Sequence, residues 1–239
     1  YGYNLTEAIL HSEPISDPEN RCWWFDDMPH RFIRIKGLRG VAKVGQVTGE
    51  ITSGSGKNTR STCLMDSLPQ GAIYHQTVVF IGQEVLDNKF ISLSSAEKGE
   101  TKEARDTARA LQGAILAVEN GVEIYHASMG IFLRDTNLRA LRGITQELTQ
   151  SLINEGLEPL LTDHDHLAVE SYPLHLPMNF EPKKDRDGVY LQLFYARQLA
   201  CLSPFWGREQ GTGNPGLINW NRGGEPLTFD MFGADRVRS

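Results

Sequence analysis

An α+β fold is predicted for the middle of this 239-residue chain, and three features carry the prediction. Val78, Val79, Phe80 and Ile81 form a continuous apolar run without helical spacing, as a buried strand does. Two later segments repeat apolar residues at intervals of three and four, the pattern of amphipathic helices. A second apolar strand lies between them and a short one follows, so strand, helix, strand, helix, strand occupies Ile73 to Leu161. One sheet layered by two helices accommodates that order, and a ferredoxin-like or split β-α-β sandwich is the expected form.

The elements follow in chain order. Tyr1 to Pro29 mixes prolines with acidic residues ahead of an aromatic knot, Trp23, Trp24 and Phe25, and reads as an N-terminal arm over residues 1–30 that packs down late. Arg31 to Lys36, RFIRIK, alternates in the manner of a strand with one wet face. Gly45 to Ser67 is rich in Gly, Ser and Thr, which suits a long mobile loop or a solvated hairpin. Ile73 to Leu86 is the first buried strand. Ala104, Ala108, Leu111, Ile115 and Val118 then mark a helix ending at Asn120-Gly121. Val122 to Asp135 is the next strand. Leu138, Leu141, Thr145, Leu148 and Leu152 mark a second helix, capped near Asp135 to Asn137 and closed at Gly156. Leu157 to Leu161 can return to the sheet, completing an α+β domain over residues 31–175.

From Pro173 the composition becomes that of an extended connection, with Pro177 and Pro182 in the same stretch. Gly211 to Ser239 is dominated by Gly, Asn, Pro and Arg, and NRGGEP, Asn221 to Pro226, suits a turn between two short strands. Residues 176–239 are therefore read as a connector and the β-rich start of a second unit.

Composition narrows the function. With 40% hydrophobic and 23% charged residues the chain is neither collagen-like, coiled-coil nor wholly disordered. A net charge of -6 and a pI near 5.7 argue against a general nucleic-acid coat. No apolar stretch approaches the ~18 residues a spanning helix needs. Cys22, Cys63 and Cys201 are odd in number and far apart, so free, buried thiols in a reducing compartment are expected. The first residue, Tyr1, suggests a piece of a longer chain.

Four motifs offer candidate chemistry. GSGK, Gly54 to Lys57, resembles the end of a phosphate-binding loop, but Ile51 stands where the first glycine belongs and Asn58 where the hydroxyl belongs, so a flexible loop is the plainer reading. DHDH, Asp163 to His166, offers carboxylate and imidazole ligands, with His175 the one neighbour in sequence. A capped, polar helix start explains the same residues without a metal. A Ser, His and Asp hydrolytic set has its ingredients among seven His residues, though no G-x-S-x-G turn is present. Arg208, Arg222, Arg236 and Arg238 lie among Trp206, Trp220, Phe229 and Phe232, an arrangement that can hold single-stranded nucleic acid. The overall acidity weighs against it.

Leu202 to Ser239 resembles the segment that precedes the Walker A motif in the VirB/TraC/TrbE-type ATPases of conjugative type IV secretion. Asn221, Arg222, Gly224, Glu225, Pro226, Phe229, Asp230 and Phe232 match that family's N-R-x-G-E-P-x-x-F-D-P-F-like stretch, with Met231 in place of the usual proline. Upstream, DDMPHRFIRIKGL (Asp26 to Leu38), TVVFIGQEVLDNKFISL, the helix from Thr101 to Glu119 and YPLHLPMNF resemble the N-terminal, CagE/TrbE/VirB-type domain of the same ATPases, in the manner of integrative conjugative elements. The resemblance covers Trp24 to the end.

It implies a parent that hydrolyses ATP with Mg, forms a hexameric ring on the cytoplasmic face of the bacterial inner membrane, and powers pilus assembly and DNA or protein transfer. The chain ends before the Walker motifs would begin, so the resemblance assigns no catalytic, cofactor-binding or metal residue within it, and the fragment is expected not to hydrolyse ATP alone. Docking and oligomerisation are the work that remains, with ring neighbours and inner-membrane secretion components as partners. Trp23, Trp24 and Phe25 are contact candidates, with core packing as the competing reading. The alternative is a free-standing metal-dependent hydrolase using Asp163, His164 and His166.

Overall fold

A computed structural model of the chain describes residues 13–49, 51–53, 60–80, 82, 102–165, 169–176, 179–181, 185, 190–205, 217–220 and 226–229. Strands β1 (Ile15–Asp17), β2 (Cys22–Phe25) and β3 (Met28–Leu38) come first, then a small hairpin of β4 (Ile51–Ser53) and β5 (Arg60–Thr62). Strand β6 (Ile73–Val79), helix α1 (Lys102–Glu119), strand β7 (Ile124–Arg134), helix α2 (Leu138–Asn154) and strand β8 (Leu157–Pro159) follow. A single turn α3 (Ser171–Leu174), strand β9 (Gln192–Tyr195), helix α4 (Ala196–Leu202) and the hairpin β10 (Leu217–Trp220) with β11 (Pro226–Phe229) complete the described strands and α-helices.

The class is α+β, with antiparallel pairing throughout the described residues. The seven-stranded main sheet runs β1-β2-β3-β7-β6, with β8 added to β3 and β9 added to β7. Because β7 and β8 are both antiparallel to β3, they run parallel to each other on its two sides, and α2 makes the crossover between them.

Register decides what each face buries. Arg31, Ile33 and Ile35 stand opposite Leu133, Ile131 and Met129, and Tyr74, Gln76 and Val78 of β6 extend the same face. Helix α2 covers it with Leu141, Thr145, Leu148 and Leu152, all buried, at the spacing that puts them on one stripe. Helix α4 joins through Leu199 and Leu202, and Tyr74 Oη donates to the Leu202 carbonyl at 3.0 Å. Each of these leucines, fully buried, contributes about 1.5–3 kcal/mol. Helix α1 packs separately, with Leu111, Ala114, Ile115 and Val118 around Ile124 and Tyr195.

Local chemistry sets the ends of α2. Asn137 caps it, its side-chain oxygen accepting from the Ala140 N–H at 3.0 Å. Gly156 takes φ 80°, a left-handed conformation that closes a helix cheaply only in glycine.

Three expectations are corrected or refined. The supposed wet face of Arg31 to Lys36 is largely covered, because residues 169–176 form a second layer over it and leave Phe32 5% exposed. The Gly45 to Ser67 segment is a hairpin whose stem is anchored, with Val47 and Leu64 fully buried and Leu64 N donating to the Gln46 carbonyl at 2.9 Å. Residues 15–25, part of the expected arm, pair as β1 and β2 on the edge of the main sheet. All three cysteines are free and buried.

Candidate functional site

The second face of the sheet is built from aromatic and imidazole rings. Trp23 pairs with His30 across β2 and β3, and His30 with Arg134 across β3 and β7, so these three side chains form one row. Phe32, Phe132 and Ile73 make the next row, and Arg34, Gly130 and His75 the third. Phe32 and Phe132 lie 4.4 Å apart between ring centroids. Gly130 admits this packing, since a Cβ there would collide with the Phe32 ring and come within 2.6 Å of the Ile33 carbonyl oxygen. Tyr172 and His175, on and beside α3, lie against these rows, Tyr172 5.7 Å from Trp23 and His175 4.5 Å from Phe32.

Between Tyr172 and the first two rows remains a cleft of about 500 Å³, lined by Trp23, Phe25, His30, Phe132, Arg134 and Tyr172 among others. Its imidazoles are held toward the neutral form. Burial lowers the pKa of His30, with the Arg134 charge adding to the effect. Burial and the neighbouring His175 take His75 down to about 4. His175 is lowered too, chiefly by burial.

Deeper in, polar groups are paired. The His175 Nδ1–H donates to the Ser171 carbonyl at 2.7 Å, which leaves Nε2 to accept from Ser128 Oγ at 2.7 Å. A serine beside an imidazole is the beginning of a nucleophilic pair. Here the third group is a peptide carbonyl, and Ser128 and His175 are 2% and 1% exposed, so the contact ties α3 to β7 out of reach of a substrate. Arg34 grips Asp165 with two bonds, Nε to Oδ2 at 3.2 Å and Nη2 to Oδ1 at 3.1 Å, and its guanidinium lies 5.6 Å from the Tyr190 ring centroid.

The residues singled out from the sequence fare differently. Asp165 belongs to the ion pair with Arg34, while Asp163 and His164 sit exposed on a short 3-10 turn, Thr162–His164. His166 lies outside the described residues. Among the described residues no group of three His, Cys, Asp or Glu side chains is placed to hold a metal ion, and the hydrolase alternative gains no support. Gly54 to Lys57 also lies outside the described residues, as do Arg208, Arg222, Arg236, Arg238, Trp206 and Phe232. Of the aromatic knot, Trp23 is fully buried and is core, because the α3 segment closes over it; Trp24 and Phe25 are half-buried. Trp24 Nε1 donates to Asp17 at 3.1 Å. The cleft itself was hidden in the sequence: the alternation of His30, Phe32 and Arg34 hints at a second buried face, but its cover comes from residues far along the chain.

Fold and site together define an α+β sheet domain with an aromatic cleft and, among the described residues, no assembled catalytic set. The chain belongs to the TraC protein family, whose model matches residues 3–180. It carries a TraC-type conjugative transfer protein domain. No curated protein matches it.

Proposed function

We propose that this chain is the N-terminal docking and oligomerisation domain of a conjugative type IV secretion ATPase, peripheral to the cytoplasmic side of the bacterial inner membrane. The family match over residues 3–180 carries the reading. The resemblance of Leu202 to Ser239 to the stretch before a Walker A motif adds the ATPase, with ATP and Mg belonging to a domain outside this chain. The crossover of β7, α2 and β8 around β3 supports a split β-α-β core.

Ring neighbours and inner-membrane secretion components are the partners in this reading. Among the described residues no helix is long and apolar enough to cross a membrane, so attachment is assigned to protein contacts. Hairpin β10–β11 suits such a contact, since Leu217, Ile218 and Trp220 are 58%, 69% and 69% exposed. A DNA contact through the basic tail is the weaker suggestion, against a net charge of -6.

Expression of the chain in a donor cell that carries an intact transfer system tests the reading. A domain that docks competes with the full-length ATPase, and transfer frequency falls. Unchanged transfer at high expression would refute docking. Calorimetry on the purified chain should show no ATP binding; micromolar affinity would place the nucleotide site inside it.

A further inference from the structure

We infer that the cleft walled by α2, the β1–β2 turn and the Thr162–His164 turn binds the phosphate group of a monoester. Its oxygens would take the spare N–H groups of Arg31 and Arg142.

A buried charge without a counter-ion points there. Arg31 is 5% exposed, yet its hydrogen bonds all run to neutral groups. Nε donates to the Arg21 carbonyl at 3.1 Å, Nη1 to Thr145 Oγ1 at 2.9 Å and Nη2 to the Asn20 carbonyl at 2.6 Å. That leaves one N–H on each Nη atom, since a guanidinium carries five donors. Among the described residues neither Arg31 nor Arg142 forms an ion pair with an acid. The Cys22 sulfur stays a thiol, because burial and the Asp17 charge push its pKa up to about 11. A cation so desolvated ordinarily has an anion beside it.

Two guanidiniums meet at one residue. Arg142 Nη2 donates to Asn20 Oδ1 at 2.6 Å, so Asn20 accepts from both arginines. Asp17 holds Asn20 in place, accepting from its backbone N–H at 3.1 Å and from its Nδ2 at 2.8 Å. The same turn is strained, since Arg21 takes φ 53°, which a residue with a side chain rarely adopts. Arg31 and Arg142 both line one cleft of about 460 Å³. Burial lowers the Arg31 pKa, and the repulsion of Arg142 weighs more there than the attraction of Asp163. The exposed acids of the lining, Glu19 and Asp163, therefore leave the Arg31 end positive.

The lining selects the ligand. Thr149, Thr162, Gln146 and Gln150 supply hydroxyls and amides, and Leu161 is the one apolar side chain among the lining residues. Such walls suit a hydroxylated body and not an aromatic one. Two guanidiniums match a phosphate dianion better than a singly charged carboxylate.

The test is a titration of the ¹⁵N-labelled chain with inorganic phosphate, glucose 6-phosphate and succinate. The Arg31 Nε–H is the signal to follow, because its bond to the Arg21 carbonyl slows exchange, and Arg31→Lys identifies it. Both phosphates should move it saturably, glucose 6-phosphate at the lower concentration. Arg142→Gln should weaken both about tenfold, as loss of a charge-assisted hydrogen bond requires. Arg142 is exposed, so that variant keeps the fold. Arg139→Gln, exposed on the same helix but outside the cleft, should bind as the unaltered chain does. Vesicles of phosphatidylcholine with phosphatidic acid read the source: co-sedimentation that Arg142→Gln abolishes identifies a lipid headgroup, and no co-sedimentation a free ester. No saturable shift, tighter binding of succinate than of phosphate, or an affinity unchanged in Arg142→Gln overturns the assignment.

Discussion

His75 shows how a single side chain couples this fold to pH. Its ring lies 4.9 Å from that of His175, and Thr77 Oγ1 and His75 Nε2 are 2.8 Å apart. Burial first, and His175 second, lower its pKa from the usual 6.5 to about 4 in the folded chain. The unfolded state therefore binds a proton that the folded state refuses. The stabilisation is complete above pH 6.5 and is lost as pH falls toward 4. Between pH 7.5 and 5 this one residue should remove on the order of 2 kcal/mol from the unfolding free energy. His30 and His175, shifted the same way, add to the loss. Urea unfolding at the two pH values measures it, and His75→Gln should flatten the difference. A stability that is equal at pH 7.5 and 5 would contradict the neutral, buried imidazole.

Elements are held to one another by a few contacts between distant parts of the chain, and the Arg34–Asp165 pair is the clearest. It joins the middle of β3 to the turn after β8 across 131 residues, with side chains 11% and 10% exposed. Removing one partner from a buried pair typically costs about 3–5 kcal/mol, because the other charge stays desolvated. Asp165→Ala should therefore lower the melting temperature markedly, while Asp163→Ala, two residues earlier and exposed, should leave it unchanged. Equal melting of the two variants would show that the pair is dispensable. The same contrast explains what could be read beforehand. The span of α2, its Asn137 cap and its Gly156 stop follow from chemistry within one or two turns, and the sequence displays them. Asp165, inside DHDH, looks like a metal ligand until β3 and the turn after β8 are brought together. Ser128 and His175 likewise meet only through the register of β7 and the return of residues 169–176. For Trp23 the sequence leaves contact residue and core side by side, because the Tyr172 that packs on it is 149 positions away, a separation no periodicity reports.

At the scale of the whole molecule, the sheet extends beyond the composition shift at Pro173. Strand β9 pairs with Ile124 to Ala127 of β7, and the helix it feeds puts Leu199 and Leu202 into the main core. Phe194, Leu199 and Leu202 are 3%, 5% and 1% exposed. At about 1.5–3 kcal/mol each, their loss would take away a large part of the roughly 5–15 kcal/mol that holds a domain together. Hairpin β10–β11 stands differently, since among the described residues its strands pair only with each other and present Leu217, Ile218 and Trp220 to solvent. A chain cut after Phe205 should thus melt cooperatively and close to the full chain. One cut after His175 should lose the cooperative transition, although it retains every helix and strand from β1 to α3. Calorimetric melting of the two truncations decides it. A cooperative transition in the shorter piece would mean that β9 and α4 are appended to a core already complete, and a lost transition in the longer one would mean that the hairpin segment supports the sheet.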